Sequence, residues 1–162
     1  MVQQRHTIGV VGTGTMGAGI AQAAAQAGYS VVFQNRREAS VVQAVKKIRQ
    51  GLERLVAKEK LSKAECEETM DRIRPVVPLE ELKGCERILE CAPEDLELKR
   101  ELLQGIDAIA GDDSIIATNT SSLSVTKLAS YLRRPAHFVG LHFFNPVPVS
   151  YTHLTLPTIL LV

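Results

Sequence analysis

A chain of 162 residues, 45% hydrophobic and 23% charged, has the make-up of one globular domain able to bury a core. A net charge of +1 and a pI near 7.8 give no electrostatic ground for a nucleic-acid or anionic-membrane partner, and the basic residues read as a solvated face. Cys66, Cys85 and Cys91 lack metal-ligand spacing and do not form a disulfide scaffold, so no metal and a reducing, cytoplasmic setting are expected. Glycines soon interrupt the apolar run from Ile8, and neither a signal peptide nor a membrane span is expected.

In chain order, His6 to Val11 is a β-branched run stopped at Gly12, the pattern of a buried strand closed by a tight turn. Thr15 to Ala27 places Met16, Ile20, Ala23, Ala24 and Ala27 at helical spacing, with Gly28 as the stop. Ser30 to Gln34 reads as a second strand, and Glu38 to about Lys58 as a long helix with Val42, Val45, Ile48, Leu52, Leu55 and Val56 in period. Ser62 and Glu65 form a capping box that starts another helix running to about Ile73, which Pro75 and Pro78 then close off. Arg87 to Cys91 is the next strand, followed through Pro93 by a helix from about Asp95 to Ala110. Ser114 to Thr118 is a strand, Ser124 to Arg134 a helix with arginines in its last turn and Pro135 beyond, and Val139 to Leu141 the last clear strand. Strands alternating with crossover helices predict an α/β domain, a doubly wound and mostly parallel sheet of the Rossmann-like kind, with a helical excursion after the second strand.

Gly12-Thr13-Gly14-Thr15-Met16-Gly17 is a G-x-G-x-x-G fingerprint set between the first strand and its helix, where a dinucleotide pyrophosphate approaches free N–H groups at a helix N-terminus. A structural turn is the plainer reading of the glycines alone. A carboxylate that reads the adenosine ribose ordinarily stands roughly 20 residues beyond the glycines. Asn35 holds that place. It lacks the charge that repels a 2′-phosphate, and Arg36 and Arg37 follow it, so NAD is the expected cofactor with NADP left open. Both arginines also fit an exposed helix start.

Three further segments join the fingerprint: Glu90-Cys91-Ala92-Pro93-Glu94-Asp95-Leu96-Glu97-Leu98-Lys99, Thr118-Asn119-Thr120-Ser121-Ser122-Leu123 and His142-Phe143-Phe144-Asn145-Pro146-Val147-Pro148-Val149. Together they resemble the N-terminal, NAD-binding domain of the 3-hydroxyacyl-CoA dehydrogenase family, which includes the bacterial 3-hydroxybutyryl-CoA dehydrogenases. The resemblance implies oxidation of a (3S)-3-hydroxyacyl-CoA, in its short-chain form 3-hydroxybutyryl-CoA, to the 3-oxoacyl-CoA in fatty-acid or butanoate metabolism. It implies that His142 is the catalytic base, a task for which imidazole is suited, and that Ser121 hydrogen-bonds the reacting oxygen of the substrate. By the same resemblance Asn145 lies near the nicotinamide and His142, and Glu94 and Lys99 contact the nicotinamide end of the cofactor. The alternative for Glu94 and Lys99 is an exposed charged pair at a helix start. Lys58 is a candidate for the nucleotide part of the acyl-CoA substrate.

The family continues after its Asn-Pro-Val-Pro segment with a strand whose glutamate orients the catalytic histidine, and then with an all-helical domain that carries the homodimer contact. Here Leu154 stands at the glutamate's spacing, and leucine cannot accept from an imidazole. Residues 1–150 are therefore expected to be the NAD-binding domain and residues 151–162 a non-family tail, foreign or frameshifted, with the helical domain missing and activity impaired. Two rivals follow: a non-catalytic dinucleotide-binding fragment, and a dehydrogenase of small 3-hydroxy acids, which shares the glycine-rich start but uses a lysine base.

Overall fold

The structure, a computed structural model, describes residues 6–147. The elements are β1 (Thr7–Val11), α1 (Thr15–Gln26), β2 (Ser30–Gln34), α2 (Glu38–Ala57), α3 (Lys63–Asp71), β3 (Ile73–Val76), β4 (Arg87–Glu90), α4 (Leu96–Ile109), β5 (Ile115–Thr118), α5 (Val125–Ala129) and β6 (Phe138–Gly140). Short 3₁₀ turns cover Leu79–Leu82 and Pro135–His137. The six strands form one sheet in the order β3-β2-β1-β4-β5-β6, with every pairing parallel.

The strands are apolar on both faces because both faces are covered. Val10, Val31, Phe33, Leu89 and Ala117 point into a core shared with Ile20 and Ala21 of α1, Ala44, Ile48 and Leu52 of α2, and Met70 of α3. Their neighbours Val11, Val32, Ile88 and Ile116 point the other way, onto Leu103 and Ile106 of α4 and Leu128 of α5. That alternation is what winds the chain doubly around the sheet. The strand order reverses direction between β1 and β4, and the loops leaving those two strands diverge to open a crevice at the sheet's C-terminal edge.

Local chemistry accounts for several boundaries. Gly28 ends α1 at φ 94°, a conformation that costs other residues a Cβ clash. The Ser62 hydroxyl accepts from Glu65 N–H and the Glu65 carboxylate accepts from Ser62 N–H, completing the capping box of α3. The excursion α2–α3 is held laterally by an Arg49–Glu67 ion pair at 2.8 Å.

Two elements depart from the sequence-based expectation. Ile73–Val76 is a strand, not the end of a helix and a proline break. It lies at the sheet edge, and the carbonyls of Arg72 and Val76 accept from the N–H groups of Val31 in β2 and of Asn35 just after it, so by alternation Pro75 turns its missing N–H outward where no ladder bond is lost. The helix expected over Ser124 to Arg134 stops at Ala129. Beyond it Arg133 and Arg134 close on the buried Asp107 of α4: Arg133 donates from its backbone N–H (2.8 Å) and Nε (3.2 Å), and Arg134 from Nε (3.4 Å). Arg133 and Arg134 guanidinium nitrogens also donate to the carbonyls of Asp107 and Gly111. A tertiary ion cluster outcompetes another helical turn there.

Candidate active site

The fingerprint glycines divide three tasks. Gly12 turns the chain at φ 105°, and a Cβ on it would lie 2.6 Å from the Cys91 carbonyl oxygen. Gly17 lets α1 pack on the turn. Among the described residues a Cβ on Gly14 would meet nothing within 4 Å, so none of them fills the space beside it. Gly14 also caps α1 without a side-chain hydrogen bond, leaving the first N–H groups available to a phosphate. The residues present thus fit a dinucleotide pyrophosphate.

A cleft of about 370 Å³ opens next to this loop, lined by Met16, Cys91, Ala92, Glu94, Asn119, Ser121, His142, Phe143, Phe144 and Asn145. It gathers Met16, Glu94, Ser121, His142 and Asn145, five residues singled out in the sequence, from the first turn of α1 and from the loops that follow β4, β5 and β6. They meet because parallel strands put all their outgoing loops at one edge. Asn35 sits beside the glycine loop, donating from Nδ2 to Thr13 Oγ1 at 2.9 Å. Lys58 does not line the cleft; it is the exposed C-cap residue of α2.

Glu94 binds the serine loop. One of its oxygens accepts from Thr120 Oγ1 (2.5 Å), the N–H groups of Ser121 and Ser122 (2.9 Å each) and Ser122 Oγ (3.0 Å). Partial burial works to raise its pKa, but the hydrogen bonds from Thr120, Ser122 and Ser121 outweigh it and hold the carboxyl down to about 2. A depressed folded value means that this tie is in full force above the ordinary value of 4.5 and is lost only as pH falls toward about 2. Hydrogen-exchange protection of the Ser121 and Ser122 amides is therefore expected to persist through the usual carboxylate range. Protection that fades around 4.5 would show that Glu94 does not hold this loop.

Lys99 is not half of an exposed charged pair; only 1% of its side chain is accessible. Its Nζ donates to both oxygens of Glu90 (2.8 and 2.9 Å) and to the Ala92 carbonyl (3.0 Å), with Glu94 Oε2 at 3.7 Å. Glu90 is wholly buried at the end of β4 and also accepts from Thr118 Oγ1 at 2.6 Å and from the Ala92 N–H. The pair fastens the floor of the cleft to α4 and β5. Glu90, Thr118 and Asn119 stand in the segments that carry the resemblance, but the sequence assigns them no role. The available signal was an acid closing an apolar strand, Ile88-Leu89-Glu90, with a threonine closing the next strand in register. Asn119 positions the histidine segment, its Oδ1 accepting from Phe143 N–H at 2.8 Å.

The His142 ring stacks obliquely on Phe144, centroids 4.9 Å apart at 57°, and makes no hydrogen bond among the described residues. The expectations for Leu154 and the tail lie outside those residues. Cys91 faces the cleft, but burial and then the nearby Glu90 charge push its thiol up to about 12, so it supplies no thiolate nucleophile. Among the described residues no group of three or more His, Cys, Asp or Glu side chains could hold a metal ion, and no helix is long and apolar enough to cross a membrane.

A parallel sheet in this order with a glycine fingerprint at its switch point defines a Rossmann-like dinucleotide-binding domain. Residues 7–152 match the family described as 3-hydroxyacyl-CoA dehydrogenase, NAD binding domain, and the chain belongs to that family. It is 37% identical to a 3-hydroxybutyryl-CoA dehydrogenase of Clostridioides difficile over 88% of this chain and 50% of that one. Identity is also 37% to a 3-hydroxyadipyl-CoA dehydrogenase of Escherichia coli, over 89% of this chain and 30% of that one. The crystal structure of (S)-3-hydroxybutyryl-CoA dehydrogenase from Ralstonia eutropha superposes with a TM-score of 0.88 at 44% identity, covering 90% of this chain and 52% of that one. The chain thus spans about half the length of the 3-hydroxybutyryl-CoA dehydrogenases it matches.

Proposed function

We propose that this chain provides the cofactor half of an NAD-dependent 3-hydroxyacyl-CoA dehydrogenase acting on short-chain substrates such as 3-hydroxybutyryl-CoA, in the cytoplasm, with residues 1–150 as the NAD-binding domain. The observation that carries the reading is the convergence of Ser121, His142 and Asn145 on one cleft beside the open approach at Gly14. NAD, when bound, supplies the hydride acceptor for C3 of the substrate. The protein's part is proton management and placement. His142 takes the proton of the 3-hydroxyl as carbon–oxygen double-bond character develops, and returns it in the reverse direction. Ser121 can donate to the keto oxygen or accept from the hydroxyl, so one side chain serves both oxidation states. Its backbone is set by Glu94, and the segment bearing His142 by Asn119. The apolar walls offered by Met16, Phe143 and Phe144 exclude water from the reacting centre.

The test is reduction of acetoacetyl-CoA by NADH with the 162-residue chain, alongside NADH binding followed by fluorescence. Binding is expected, and any turnover is expected to fall by about a hundredfold or more in His142→Gln. Turnover that survives this substitution would remove His142 from the chemistry. The exposed His142 ring, without a hydrogen-bonding orienter among the described residues, favours a second reading: a cofactor-binding unit without catalysis, for which the signature is NADH binding with no turnover at all.

A further inference from the structure

The adenosine-ribose end of the site carries chemistry of its own. Asn35 follows β2 directly, where a dinucleotide fold places the carboxylate that reads the ribose diol. Its amide is fixed at both ends, Nδ2 donating to Thr13 Oγ1 (2.9 Å) and Oδ1 accepting from Arg37 N–H (3.0 Å). The side chain therefore ties the glycine loop to the start of α2, and it does so without charge. Arg36 and Arg37 are exposed, and among the described residues neither guanidinium makes a hydrogen bond or ion pair. Arg49, Arg72, Arg74 and Arg133, by contrast, are each held by a carboxylate. The nearest acid in sequence is Glu38, so the segment Gln34–Ser40 carries a net positive charge.

An aspartate at position 35 would repel a 2′-phosphate, whereas a neutral amide does not. Two unengaged guanidiniums next to it can pair with that phosphate through planar donors. We propose that this end of the cleft accepts a 2′-phosphate, so that the domain binds NADP(H) as well as NAD(H). The proposal rests on the reading of the cleft as a dinucleotide site and adds the cofactor class that the site admits.

The experiment is a pair of fluorescence titrations of the 162-residue chain with NADH and with NADPH, each at low and high salt. Both are expected to bind, with affinities within about tenfold of each other. NADPH affinity should fall more steeply with salt, because its extra phosphate is met by exposed cations. Asn35→Asp is expected to shift the affinity ratio toward NADH by about tenfold or more, and the exposed pair Arg36→Ala with Arg37→Ala to shift it the same way. Binding of NADH with NADPH weaker by about a hundredfold or more overturns the proposal and leaves the dinucleotide reading intact. Failure of both ligands to bind overturns that reading and the proposal with it.

Discussion

Glu90→Gln is expected to destabilise the domain by about 3–5 kcal/mol, the usual consequence of removing one partner of a buried ion pair. Glu90 is 0% accessible and its partner Lys99 1%, so water cannot replace the lost charge. A glutamine oxygen can still accept from Lys99 or from the Ala92 N–H, but its amide end would face Lys99 Nζ as donor against donor. Among the described residues only Glu94 Oε2, at 3.7 Å, would remain to balance the ammonium. The double variant Glu90→Gln with Lys99→Met removes the stranded charge and is expected to recover much of the loss, since a neutral buried pair carries no such penalty. Urea unfolding of both variants decides the matter. A single-variant loss below about 1 kcal/mol would mean that the pair behaves as an exposed ion pair. Because Lys99 and Glu90 both bond Ala92 on the cleft floor, NADH affinity should fall in the single variant beyond what stability explains.

Gly17→Ala and Gly14→Ala are expected to separate folding from cofactor binding. The Cβ of an alanine at position 17 would stand 1.8 Å from the Gly12 carbonyl oxygen and 2.9 Å from its carbon. Both are backbone atoms in a turn already committed to φ 105°, so neither can step aside cheaply. The turn must open or α1 must lift off β1, with a drop in thermal stability and a loss of NADH affinity of about a hundredfold or more. At position 14 the backbone is extended, with φ −70° and ψ −174°, and a Cβ meets no atom of the described residues within 4 Å. Gly14→Ala should cost no more than about 1 kcal/mol of stability while still blocking close approach of the pyrophosphate. Melting temperature and NADH titration on the two variants give the comparison. Equal NADH binding by Gly14→Ala and the parent chain would place the pyrophosphate elsewhere.

Much of the fold was legible because its signals are local. The strands at Ser30–Gln34 and Arg87–Glu90 announce themselves as apolar runs, since a strand covered on both faces has little place for polar residues. The start of α3 is written in Ser62 and Glu65, whose bonds span a single turn. The cleft residues Met16, Ser121, His142 and Asn145 were legible through motifs, and the topology brought them together because each follows the C-terminal end of a parallel strand.

What stayed hidden depends on neighbours distant in sequence. The strand at Ile73–Val76 contains a proline that only an edge position tolerates, and edge position is a property of the whole sheet. The end of α5 is hidden from the sequence because Arg133 and Arg134 are drawn to Asp107, 26 and 27 residues back, over a further helical turn. The same holds for charge. From the sequence, Glu94 and Lys99 could equally have been a solvated pair, whereas the folded chain buries Lys99 against Glu90 and spends Glu94 on the serine loop. Sequence alone determined five of the six strands, most helices, the glycine turn and the residue types brought to the cleft, since each rests on short-range sterics and hydrophobic periodicity. Tertiary structure alone decided which charges are buried and whom they hold, because desolvation is set by everything packed around a group rather than by its neighbours along the chain.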